Sequence, residues 1–111
     1  MTQIKFYLSQ GNLAAVDLLG HAGYADEGED IVCAAITSAV QLTHALLYDV
    51  QRLAVDAVIE DEGAHICLRL PAGQIAAGQD GLRALHIFYT ELAAQYPEYL
   101  SVTEVHEDAE D

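Results

Sequence analysis

Ile4, Phe6 and Leu8 alternate with Lys5 and Tyr7, the two-residue period of a strand that buries one face. Gln10-Gly11-Asn12 is turn chemistry, and Leu13–Leu19 reads as a second strand. Periodicity then stops. From Gly20 to Asp30 the chain carries glycines at 20, 23 and 28 and no regular apolar spacing, which predicts a loop of functional length. At Ile31 the period becomes helical: Val32, Ile36, Ala39, Val40, Leu46, Leu47 and Val50 recur at three- and four-residue steps, with Asp30 at the predicted N-cap. Leu53–Ile59 and Ala64–Leu70 read as two strands joined at Asp61-Glu62-Gly63. In the second of these, Ile66, Leu68 and Leu70 share one face, while His65, Cys67 and Arg69 share the more polar one. Pro71 and Gly73 break the chain before a second helix, whose stripe is Leu82, Leu85, Tyr89, Leu92 and Tyr96 and whose stop is Pro97. Gly78 and Gly81 leave the start of that helix open. Leu100 and Val102 mark a last strand, and residues 104–111 read as a frayed acidic tail.

The order ββαββαβ predicts an α+β, two-layer domain: a mostly antiparallel sheet with two helices. The 111 residues allow one domain, 1–111, with one modest core and no linker or repeat. At 52% hydrophobic and 20% charged, the composition argues against disorder along most of the chain.

Charge narrows the choice of partners. Eighteen acidic residues against four Lys and Arg give a formal net charge of −14, which disfavours nucleic acid and serves either solubility alone or the encounter with a basic protein partner. No apolar run is expected to approach the roughly 20 residues of a membrane span, and Met1–Gln10 lacks a signal-peptide layout. The expectation is a cytoplasmic domain with no membrane contact, in which Cys33 and Cys67 are free thiols in a reducing compartment. His21, Cys33, His65 and Cys67 match no common zinc spacing, so neither a metal nor a cofactor is expected.

Chemistry concentrates between His21 and Thr37. Cys33 is predicted in the first turn of the first helix, about N3, where unpaired N–H groups and the helix dipole favour a thiolate. Asp26, Glu27 and Glu29 oppose that by raising the local cost of a negative sulfur. His21, at the start of the loop, becomes a partner for Cys33 if the loop folds back. An imidazole that takes the thiol proton and later protonates a leaving amine is what thiol-based acyl transfer requires. Asp30 is placed to orient His21, to cap the helix, or both. The plain alternative is a small core cysteine, a loop histidine and a capping aspartate.

Gly20-His21-Ala22-Gly23-Tyr24-Ala25, followed by Gly28-Glu29-Asp30-Ile31-Val32-Cys33-Ala34-Ala35, strongly resembles the ribosomal-processing cysteine protease family, Prp, and the resemblance runs through nearly the whole chain. It implies Cys33 as nucleophile, His21 as its partner and Asp30 as the motif's aspartate. It further implies a bacterial cytoplasmic homodimer that removes an N-terminal extension from large-subunit ribosomal protein twenty-seven, cutting at an aromatic residue. The Gly-rich segment would be a substrate-binding flap, with Ala22 in the motif and Gly20, Gly23 and Gly28 giving hinge freedom. Thr37 stands where the family carries Ser, with Ser38 next; it keeps a hydroxyl one helical turn from Cys33. The competing expectation is a non-catalytic acidic domain that holds a basic ribosomal protein during assembly.

Overall fold

In the computed structural model of this chain the described residues are 1–20, 27–60 and 64–107, with 27–30 described by their backbone alone. Strands β1 (Thr2–Ser9) and β2 (Asn12–Leu19) are joined at Gln10 and Gly11, whose φ values of 53° and 83° suit a two-residue hairpin turn. Helix α1 (Glu27–His44) runs into a π-helical segment, Ala45–Val50. Then come β3 (Asp56–Glu60), β4 (His65–Arg69), a short 3-10 turn at Ala72–Gln74, α2 (Gln79–Gln95) and β5 (Leu100–His106). The five-stranded sheet has the order β3-β4-β2-β1-β5; β1 and β5 are parallel and the other pairs antiparallel. The predicted α+β order and the two helices are therefore both present, over a mixed sheet.

Register aligns the apolar positions into rows that cross the strands. One row reads Ile59, Ile66, Leu18, Ile4 and Val102, and the next reads Ala57, Leu68, Val16, Phe6 and Glu104. The middle of both rows forms the core with Val32, Ile36, Val40 and Leu47 from the first helical segment and Leu82, Leu85, Tyr89 and Leu92 from α2. The Tyr89 hydroxyl donates to the Ile36 carbonyl at 2.7 Å, tying α2 to α1. Burial raises the pKa of that phenol and keeps it a neutral donor. Gln79 joins α2 to the sheet in the manner of a strand neighbour. Its amide accepts from the Leu13 N–H at 2.9 Å and donates to the Leu13 carbonyl at 2.6 Å.

Four sequence expectations need correction. Helix α1 starts at Glu27, so Asp30 is its fourth residue rather than its N-cap. The first turn, with Glu27, Glu29 and Asp30, suits the positive end of the helix dipole but carries no apolar stripe, so periodicity could not find it. The third strand starts at Asp56, not Leu53. The Leu53 N–H is taken by the Leu47 carbonyl at the helix end, and the Ala54 N–H by the Gln74 side chain. The tail is ordered as far as Glu107, because β5 pairs with β1 through His106, the Glu107 N–H donates to the Leu8 carbonyl, and Arg69 clamps the Glu107 carboxylate. Finally, Ile31–Val50 is, by length and mean hydropathy of 1.6, long and apolar enough to cross a membrane, contrary to the expectation that no segment comes near. The core helix of a soluble protein meets the same criterion, and Val32, Ile36, Val40 and Leu47 of this segment are packed in the core.

Candidate active site

At the end of the sheet where β2 stops, Gly20 is held from three sides. Its N–H donates to the Ala64 carbonyl at 3.1 Å, and its carbonyl accepts from the Thr2 hydroxyl at 3.2 Å. Its φ is +88°, and a Cβ there would stand 3.1 Å from the Met1 carbonyl, so the position demands glycine. Gly20 is thus a pinned post rather than the free hinge expected of it.

Between this post, α1 and the β3–β4 hairpin lies a cleft of about 220 Å³, and Cys33, Thr37 and Gly20 all line it. Cys33 is half-buried and unpaired in a disulfide, as is Cys67. The positions Asp30, Cys33 and Thr37 follow one another at steps of three and four, which places them on one side of α1. Ser38 lies instead beside the seam between α1 and α2, so of the two neighbouring hydroxyl residues on α1 it is Thr37 that shares the cleft with Cys33. Cys33 is the seventh residue of α1, beyond the four N–H groups left unpaired at a helix start. The expected N3 placement is therefore displaced by the extra turn, and the dipole argument weakens with it. Gly28 sits within that first turn. His21, Ala22 and Gly23 lie outside the described residues, as does the expected turn at Asp61-Glu62-Gly63.

The rest of the cleft is lined by Leu18, Ile36, Ile59, Ala64 and Ile66, with Thr2 beside Gly20 and with Glu60 and His65 at one rim. These two face each other across the β3–β4 pair. His65 Nδ1 is 3.1 Å from Glu60 Oε1, and its Nε2 hydrogen-bonds Asp17 on β2. The hydrogen bond to Glu60, then that to Asp17, raises the His65 pKa above the ordinary imidazole value, so one imidazolium links three strands. His65 matches no motif position and was expected to have no function; its pairing with Glu60 follows from β3 extending one residue beyond the predicted Ile59. Cys67, two positions along β4 on the same sheet face as His65, lies on the face away from α1, as expected, where burial and then Asp17 push its thiol pKa up.

The sequence model of a known family, described as cysteine protease Prp, matches residues 1–101. The chain belongs to the Prp cysteine protease family. A crystal structure of SMU.848 from Streptococcus mutans superimposes with a TM-score of 0.88 at 26% identity, covering 96% of each chain. An essential ribosomal processing protease Prp from Staphylococcus aureus, in complex with a substrate peptide, superimposes at 0.85 with 19% identity, covering 95% of this chain and 100% of that one. The same protease with a covalently linked product peptide gives 0.83 at 20% identity, with the same coverage. No curated protein matches the chain. As a Prp protein this chain is a cysteine protease, and of its two cysteines Cys33 is the one that opens to a cleft.

Proposed function

We propose that this chain is a ribosomal-processing endopeptidase that removes the N-terminal extension of large-subunit ribosomal protein twenty-seven, cutting at an aromatic residue. The observation that carries the reading is Cys33 in a cleft bounded by Gly20, the residue immediately before His21. The family match supports it, and so does the S. aureus relative described with a substrate peptide.

In this reading His21 takes the Cys33 proton as Sγ attacks the scissile carbonyl. The tetrahedral intermediate collapses to a thioester, and the imidazolium protonates the leaving amine. Water, deprotonated by the same imidazole, then releases the acyl group and restores the thiol. With the N-cap role displaced, Asp30 acts by orienting His21. Ala22 and Gly23, with Gly28 in the first turn of α1, contact the peptide in this reading, while Thr37 offers its hydroxyl one turn beyond the nucleophile. The net charge of −14 favours encounter with a basic ribosomal protein. The enzyme would act in the cytoplasm as a homodimer, and exposed Ile31, Leu42 and Phe88 on the helix layer provide an apolar face for a second copy.

The test is to incubate the protein with a peptide spanning the extension and first mature residues, reading products by mass, with Cys33→Ala alongside. One cut at an aromatic residue, lost in Cys33→Ala, is expected. Equal cutting by Cys33→Ala overturns the assignment of the nucleophile. Equal binding without any cutting by the unmodified protein returns the chain to a non-catalytic acidic binder.

A further inference from the structure

The cleft does not end at Thr37. An apolar strip of about 350 Å³ continues from it between α1 and β3, sharing Thr37, Ile59 and Ile66 and adding Val40, Gln41, His44, Ala57 and Leu68. Its floor is the β3–β4 end of the two apolar rows, the part that α1 fails to cover. Ala57 and Ile59 point to the helix side of the sheet, yet Ala57 is exposed and Ile59 is 69% exposed. Strand β3 is at the sheet edge and, among the described residues, pairs with β4 alone on its inner side. An edge strand with exposed apolar side chains and open backbone groups is a template for an extended chain.

We infer that this strip is the track along which an extended peptide lies as it leads to Cys33. This rests on the proposed peptidase reading and adds to it the route of the substrate. Three observations join here: the strip is continuous with the Cys33 cleft, its walls are apolar with a polar lip at Gln41 and His44, and the adjoining strand edge has no further strand partner among the described residues. Eleven positions of α1 separate Cys33 from His44, about 16 Å at the helical rise, which an extended peptide covers in about five residues. Alternate side chains of such a peptide face the strip, so the occupant is a segment with aliphatic or aromatic residues at every second position on one side of the cut.

Ala57 on β3 and Gln41 on α1 are exposed positions on opposite walls of the strip, where a large side chain fills the track without entering the core. The experiment measures binding of the same ribosomal-protein peptide, fluorescently labelled, to Cys33→Ala and to that protein with Ala57→Trp or Gln41→Trp added. Circular dichroism of each reports folding, and either variant suffices if the other fails to fold. Each tryptophan is expected to weaken binding at least tenfold. A peptide cut back to two residues on the strip side should bind all three proteins alike. Equal affinity of the full peptide for all three overturns the track, and peptide hydrolysis then still stands if the unmodified protein cuts. No binding by Cys33→Ala, together with no cutting by the unmodified protein, overturns the track and the proposed function at once.

Discussion

The two edges of the sheet receive different treatment. At the β5 edge, Leu100 is buried and Val102 partly so, while Glu104 at the end of its row is met by His86 of α2 at 2.8 Å. His86 itself packs edge-on against Phe6, and Arg69 closes the strand end through both oxygens of Glu107. At the β3 edge all five residues are exposed, and the row positions Ala57 and Ile59 have no helix above them. The same alternation thus builds a closed wall on one side and an open shelf on the other. The difference lies in the helices, because α2 covers its edge and α1 stops short. The shelf adjoins the cleft that Cys33 lines, and the two share Thr37, Ile59 and Ile66.

The largest expected contrast comes from truncating side chains at the two edges. Leu85→Ala or Leu100→Ala, on the closed side, should cost about 2–5 kcal/mol of unfolding free energy in urea titration. Ile59→Ser on the shelf should stay within about 0.5 kcal/mol. A large loss for Ile59→Ser would mean that the shelf is covered in solution and the comparison fails. A smaller effect is expected at the link between the helices. Tyr89→Phe removes one buried hydrogen bond to the Ile36 carbonyl and should cost about 1 kcal/mol in the same titration.

The smallest effect is at the rim of the cleft. Because Glu60 and Asp17 raise the folded-state pKa of His65 above its ordinary 6.5, protonation is favoured by folding. That stabilisation is complete below about pH 6.5 and is lost as pH rises through the raised folded value. The melting temperature of the native protein relative to His65→Gln should therefore fall across that window and level off on either side. A constant difference would show that the imidazolium does not link the strands. Glu60 is largely exposed, so the effect should also shrink with added salt.

Much of the fold was legible in the chain because its strands alternate cleanly. Ile4 and Phe6, or Ile66 and Leu68, could only face a core, and the stripe from Leu82 to Leu92 could only be a packed helix. The signal failed where polarity hid regular structure. The first turn of α1 is acidic, and β5 continues through Glu104 and His106, so both were read as irregular. Cys33 stood out by the spacing of its motif, and Thr37 and Gly20 line the same cleft. Glu60, His65 and the strip beyond Thr37 did not stand out, since they depend on how far α1 extends over the sheet, a distance that no periodicity encodes.

Gly20 is fixed at the end of β2 and α1 begins at Glu27, which leaves residues 21–26 to connect two anchored points beside the cleft. The entropy of closing such a connection grows only with the logarithm of its length, so doubling it costs about 0.6 kcal/mol. Provided that His21 is kept as the residue after Gly20, a related chain could therefore differ in the number of residues before Glu27 without disturbing the sheet or the helix that carries Cys33. Gly20 is thus the point at which the sheet hands the chain over to His21, and only the length from there to Glu27 is open to revision.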